Sequence, residues 1–175
     1  MHEVRLRTVA DGDIPSIGEI YREAVSQGTA SFEWEPPGDD EMRRRFDALA
    51  AGGFPRVAAL VGERLVGYAY AGPYRSRPAY RHTVEDSIYV RAEARGLGIG
   101  RQLLARLIEE SERRDFRQMV AIIGDSANHG SVAVPRALGF RHTGTLEAVG
   151  WKFGRWLDSI IMQRSLGPGS DAPAA

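Results

Sequence analysis

The sequence predicts a single α/β domain, and three observations carry that prediction. The chain has 175 residues with 43% hydrophobic content, enough to bury one core but not two independent ones. Stretches with the two-residue period of strands interleave with stretches of helical period along the chain. Between one such strand and an amphipathic helix lies the glycine-rich turn "RAEARGLGIGR", residues 91–101.

Residues 3–8 alternate, with Val4 and Leu6 on one face and charged side chains on the other, as in a strand with one wet face. Asp13 and Pro15 are helix-start residues, and Ile17, Ile20, Tyr21, Ala24 and Val25 follow at helical spacing. The run "SQGTASFEWEPPGDD", residues 26–40, is rich in turn formers and carries Phe32 and Trp34. It reads as a loop. Asp39 or Asp40 is expected to cap a second helix over residues 41–51, whose Met42, Phe46 and Leu49 share a face. In "RVAALVGERLVGYAYAG" two β-rich runs flank Gly62 and Glu63, a hairpin pattern.

Residues 83–90 alternate again, with Val84, Asp86, Ile88 and Val90 on one side and Glu85, Ser87 and Tyr89 on the other. Beyond the glycine turn, Ile99, Leu103, Leu104, Leu107 and Ile108 form an apolar stripe opposite Arg101, Arg106, Glu109 and Glu110. "QMVAIIGD" is a short unbroken apolar run, the pattern of a buried strand. Residues 131–138 suit a short helix closed by Gly139, and residues 141–149 and 156–166 suit two antiparallel strands. The folded domain is expected to span residues 1–166. The tail "GPGSDAPAA", residues 167–175, has no core-forming side chain and is expected to be disordered.

Charge is balanced, 23 basic against 23 acidic side chains, so no global field draws nucleic acid or an anionic membrane. A small ligand is expected instead. With no cysteine, disulfides, thiolate catalysis and thiolate-ligated metals are excluded. The four histidines are scattered without ligand spacing, and no metal is expected. No apolar run has the length of a membrane span, and the first residues lack the basic and apolar blocks of a signal peptide, so a cytoplasmic location is expected.

The glycine turn carries the chemistry. Glycines 96, 98 and 100 let backbone N–H groups approach a ligand closely, and the helix start behind them adds partial positive charge. This makes a pyrophosphate cradle for a nucleotide-containing cofactor. A P-loop would need Lys and then Ser or Thr where Arg101 and Gln102 stand. A dinucleotide fingerprint would be spaced G-x-G-x-x-G near the N-terminus, and here the spacing is G-x-G-x-G in mid-chain.

Arg95, Gly98 and Gly100, set between an apolar strand and an amphipathic helix and followed by a buried strand, Asn128 and "ALGF", resemble the acetyl-CoA motif of GNAT enzymes. The resemblance runs from Val4 to Leu166. "YAYAGPYRSRPAYRHTVEDSIYVRAEARGLGIG" and "GTLEAVGWKFGRWLDSIIMQ" are similar to the phosphinothricin and methionine sulfoximine N-acetyltransferases. That resemblance implies a mixed, mostly antiparallel sheet splayed around acetyl-CoA and flanked by helices. It also implies direct acetyl transfer in a ternary complex, no metal, and a homodimer.

By matching position, the resemblance places the backbone of Ile88, Tyr89 and Val90 on the pantetheine arm and acetyl carbonyl. It places Arg95, Gly96, Leu97, Gly98, Ile99, Gly100 and Arg101 around the pyrophosphate, and Asn128 against the pantetheine, where it could equally cap the next helix. Glu85 is the expected base for the substrate amine, which is nucleophilic only when neutral; its alternative reading is an ordinary solvent-facing glutamate. Arg75, Ser76 and Arg77 lie in a loop expected to line the substrate site, where a guanidinium can grip a carboxylate through two hydrogen bonds. Asp86 and Ser87 are placed there too. Phe32 could wall the pocket or pack the loop. Lys152 is expected to approach the substrate or the partner subunit.

The chain departs from the pattern at Pro135, where related acetyltransferases carry Tyr or His to meet the leaving thiolate. Proline cannot donate a proton. A thiol with a pKa of about 8.5 is a tolerable leaving group, and water or His129 could substitute. Pro135 also leaves open a GNAT-fold protein that binds acetyl-CoA without turnover, and acceptors such as peptide N-termini or polyamines stay in view, although the arginine loop disfavours the latter.

Overall fold

The alternating and helical runs fold as seven strands and four helices in a computed structural model, which describes residues 3–174. In chain order they are β1 (Val4–Thr8), α1 (Ile14–Gln27), α2 (Asp39–Ala51), β2 (Arg56–Val61), β3 (Arg64–Pro73) and β4 (Thr83–Val90). There follow α3 (Ile99–Glu112), β5 (Gln118–Gly124), α4 (His129–Ala137), β6 (Arg141–Lys152) and β7 (Arg155–Ser165). The strands form one sheet in the order β1-β2-β3-β4-β5-β7-β6. Every neighbouring pair is antiparallel except β4 and β5, which are parallel. This is the mixed, mostly antiparallel sheet expected.

Each face of the sheet carries its own core. The predicted stripe of α3, Ile99, Leu103, Leu104, Leu107 and Ile108, is buried against Val84, Ala69, Met119 and Met162. On the opposite face α1 and α2 bury Ile17, Ile20, Val25, Met42 and Phe46 against Ala58, Leu60 and Tyr68. Strand β4 therefore has Ile88 and Val90 toward α3 and Tyr89 toward α1.

Local chemistry sets the boundaries. Gly62 takes φ +59° in the two-residue turn between β2 and β3, a conformation open to glycine without strain. α4 ends with the Phe140 N–H donating to the Pro135 carbonyl and the Gly139 N–H to that of Arg136, with Gly139 at φ +83°, a Schellman closure. The expected aspartate cap of α2 is corrected: Gly38 is the N-cap. Asp39, Asp40 and Glu41 occupy the first turn instead, where carboxylates still favour the helix dipole. Asp13 does not cap α1 with its side chain either; it takes a two-pronged hydrogen bond from Arg7 and one from the Ala10 N–H. Beyond β7 the chain turns at residues 167–171, and Arg117 donates to the Pro173 carbonyl.

Candidate active site

Strands β4 and β5 stay together only over four register pairs, the last being Asp86 with Ala121. Beyond that point β4 continues to Val90 beside β3, and β5 continues to Gly124 beside β7. The two strands splay apart, and the facing edges of residues 87–90 and 122–124 have no strand partner. Unpaired backbone N–H and C=O groups at the middle of a sheet require another partner. Residues 85–90 keep partial exposure although β4 is central, and Ile122 is 38% exposed. The buried strand read from "QMVAIIGD" is thus open at that residue, because the splay removes its neighbour.

The glycine turn closes the wide end of this opening. Gly96 and Gly98 adopt φ +78° and +76°, and Gly98 is the N-cap of α3. A Cβ at either would meet nothing within 4 Å, so the requirement for glycine is conformational. The first helical bond runs from the Gln102 N–H to the Gly98 carbonyl at 3.1 Å; the amides of Ile99, Gly100 and Arg101 precede the ladder and point out of the helix start. The side chain of Ile99 is in the core at 1% exposure, so only its backbone can serve a ligand. Leu97 and Arg101 are exposed.

Two arginines pin this turn to α1. Arg91 donates to Glu19 at 2.8 Å and to the Leu65 carbonyl at 2.9 Å. Arg95 donates to the Val90 carbonyl at 3.2 Å and faces Glu23 at 3.5 Å. A Cβ on Gly100 would lie 4.0 Å from both Val90 Cγ2 and Val134 Cγ2, so α4 stands over the turn and the end of β4. Asn128 caps α4, its side-chain oxygen accepting from the Ser131 N–H at 3.2 Å.

Glu85 sits at the closed end of the splay, opposite Gly72, with Tyr70 opposite Ser87 on the same face. Burial pushes the Glu85 carboxyl above its ordinary pKa, and the nearby Arg75 charge pulls it partly back. A carboxyl raised in this way is a stronger proton acceptor than an ordinary glutamate. Arg75, Ser76 and Arg77 lie in the exposed β3–β4 loop; the Arg75 guanidinium stacks 4.9 Å over Tyr74, which meets Tyr80 edge-on at 5.6 Å. Asp86 points the other way, toward the face covered by α3 and α4.

Reading the sequence missed an aromatic floor beneath Glu85. Tyr68 and Tyr89 stack at 5.3 Å, Tyr21 meets Tyr89 at 5.1 Å, and Phe46 meets Tyr70 at 5.6 Å. Burial raises the Tyr70 pKa, and Ser87, its partner across the β3–β4 ladder, offsets part of the rise. A cavity of about 330 Å³ lies on this side, lined among others by Tyr21, Met42, Phe46, Leu49, Tyr68 and Tyr70. The two-residue spacing in "GYAYAG" was the available signal for Tyr68 and Tyr70.

Lys152 is corrected. It is 3% exposed, and its ammonium donates to the carbonyls of Val25, Gly28 and Ser31 at 2.7, 3.0 and 2.8 Å. All three protons are used to tie the end of α1 and the following loop to β6, which leaves none for a substrate. Phe32 lies over Gly124 and Gly150, where a Cβ on either glycine would run into its ring; its other face keeps 37% exposure. Among the described residues no cluster of three or more His, Asp or Glu could hold a metal.

A splayed parallel pair, a glycine turn at the next helix start and a carboxyl at the fork suit an enzyme that transfers an acyl group from a nucleotide-bearing donor. The model of the acetyltransferase (GNAT) family matches residues 16–140, and the chain belongs to that family. It is 48% identical over 94% of its length to the phosphinothricin N-acetyltransferase of Alcaligenes faecalis, covering 83% of that protein. It is 41% identical over 96% of its length to the L-methionine sulfoximine/L-methionine sulfone acetyltransferase of Pseudomonas paraeruginosa, covering 98% of that protein. Its structure superposes with a TM-score of 0.96, at 46% identity, on a phosphinothricin acetyltransferase from Sinorhizobium meliloti in complex with AcCoA, covering all of this chain and 94% of that one.

Proposed function

We propose that this enzyme transfers acetyl from acetyl-CoA directly to the α-amine of a small amino acid analogue, of the phosphinothricin, methionine sulfoximine or methionine sulfone type. The observation that carries the proposal is the splay of β4 from β5 beside the glycine turn, with Glu85 at its fork. The names of the relatives support the substrate class.

In this reading the amides of Gly96, Leu97, Gly98, Ile99, Gly100 and Arg101 hold the pyrophosphate at the start of α3. The open edge of Ile88, Tyr89 and Val90 holds the pantetheine arm and acetyl carbonyl. The amide nitrogen of Asn128 faces that arm while its oxygen caps α4. Arg75 grips the substrate carboxylate, assisted by Ser76 and Arg77, and Glu85 takes the proton from the ammonium. Ser87 faces Tyr70 across the ladder beside it, and the aromatic cavity accepts the acceptor's side chain. Phe32 forms a wall.

The exposed apolar strip of Leu146, Val149 and Trp151 on β6, Phe153 in the turn and Trp156 on β7 supports a homodimer paired through this hairpin. Among the described residues no helix is long and apolar enough to cross a membrane, and we assign the enzyme to the cytoplasm.

Release of coenzyme A thiol is to be followed with wild type and Glu85→Gln on phosphinothricin, methionine sulfoximine, methionine sulfone, spermidine and a short peptide. Turnover selective for the amino acid analogues and dependent on Glu85 is expected. Equal or better turnover of spermidine or peptide would overturn the substrate class.

A further inference from the structure

Pro135 has no side-chain proton to give at the position where the resemblance places a Tyr or His beside the leaving thiolate, and among the described residues Asp86 is a candidate replacement. Asp86 is the last residue of β4 paired to β5. Its side chain alternates with Val84, Ile88 and Val90 toward the α3 and α4 face, the face on which Val134, the neighbour of Pro135, stands over the end of β4. Its cross-strand partners are Ala71 on β3 and Ala121 on β5, side chains too short to fill the space at the fork. The carboxyl oxygen Oδ1 is buried without a hydrogen-bond partner. The residue nevertheless keeps partial exposure, so part of it borders the opening. A buried carboxyl oxygen without a partner is costly, and a role in chemistry is one reason a native structure keeps such a group.

We infer that the Asp86 carboxyl is the general acid of the reaction, giving its proton to the sulfur of coenzyme A as the thioester breaks. This rests on the acetyltransferase reading above. The substrate nitrogen bonds to the acetyl carbon, the carbon–sulfur bond breaks with its electron pair going to sulfur, and Glu85 accepts the proton lost by nitrogen. Asp86 protonates the sulfur and is itself reprotonated from solvent. The two adjacent carboxyls thus serve opposite faces of β4, one receiving a proton and one giving it. Burial raises the Asp86 pKa to about 7, a hydrogen bond from its own backbone N–H pulls it partly back, and the neighbouring Glu85 charge adds to the rise; a carboxyl in that range is part-protonated at neutral pH. Glu85 is the charged group acting on it. Its register partners on β3 and β5, Ala71 and Ala121, are apolar, and so is the α3 stripe buried on that face of the sheet.

The test compares kcat of wild type and Asp86→Asn from pH 5.5 to 9 at saturating acetyl-CoA and amine, alongside thermal unfolding. Removing a general acid is expected to lower kcat about 10²-fold at the acid end. The deficit is expected to shrink as pH rises through the Asp86 titration, because the wild type loses the same proton. The KM for acetyl-CoA should stay within about two-fold, and Asp86→Asn should unfold no lower than wild type, since it deletes a buried ionisable group. A deficit that is constant with pH, or a kcat within two-fold of wild type throughout, overturns the assignment. If the variant does not fold, Pro135→Tyr decides: a phenol that keeps its proton to about pH 10 should give a kcat above that of wild type beyond pH 8, where the Asp86 carboxyl has lost its proton, and no gain overturns the proposal. A wild type inert on every amine would instead overturn the substrate reading on which this depends.

Discussion

Replacing Lys152 with methionine removes the ammonium at nearly matched side-chain length, and with it the cation–π contact of Nζ with the Phe153 ring, 5.0 Å away. Three carbonyls, those of Val25, Gly28 and Ser31, lose their common donor. A hydrogen bond to a charged group contributes about 1.5–3 kcal/mol. Against this stands the desolvation of the ammonium, which lowers its pKa from the usual lysine value and which the variant is spared. A net loss of about 2–4 kcal/mol is expected, at the upper end of ordinary substitutions. For a chain of this size that lowers Tm by roughly 5–15 °C. Urea unfolding of both proteins would measure it as a fall in midpoint at unchanged slope. The tether also positions the loop carrying Phe32, so KM for the amine should rise while KM for acetyl-CoA holds. A loss below about 0.5 kcal/mol would refute the reasoning, since it would mean that water satisfies the three carbonyls.

Gly98→Ala should cost about 1–2 kcal/mol of stability through its left-handed φ and raise KM for acetyl-CoA, read by denaturation and steady-state kinetics; unchanged values would refute the cradle. Arg75→Ala removes the charge that opposes the burial-driven rise of the Glu85 pKa. The base works as carboxylate, so activity is lost as pH falls through that raised pKa, and the variant's acid limb in kcat/KM should move to higher pH. Asp125 is held below its ordinary pKa of 3.8, chiefly by the Arg155 hydrogen bond. Its contribution is therefore complete above about pH 3.8 and lost as pH falls toward the lower folded value. Urea midpoints between pH 5 and 2.5 should fall less steeply in Asp125→Asn than in wild type.

Much of this molecule was legible in its sequence because period and punctuation agree with the fold. The α3 stripe, the Gly62 turn and the Gly139 closure depend on near neighbours, and near neighbours are what a sequence displays. The placement of the glycine turn and of Glu85 on β4 was legible for the same reason, since strand, turn and helix are contiguous, whereas the role expected of Glu85 came from the resemblance. Lys152 was not, since its three acceptors lie more than 120 residues away in the chain. Nor was the clasp of Arg91 and Arg95 onto Glu19 and Glu23, which is made across α1. The aspartate cap of α2 failed by one residue, where Gly38 accepts the extended backbone and the carboxylates serve the dipole instead.

The fork between β4 and β5 also makes the sheet two slabs. One comprises β1, β2, β3 and β4, the other β5, β7 and β6, and four register pairs, residues 83–86 with 118–121, are the ladder between them. A ligand lodged in the opening completes the missing ladder and acts as a keystone. Its binding free energy then becomes rigidity of the whole sheet, and it adds to global stability as RT ln(1 + [L]/Kd). Amide exchange in β4 and β5, at opposite sides of the seam and far apart in the chain, should slow together as acetyl-CoA is titrated in.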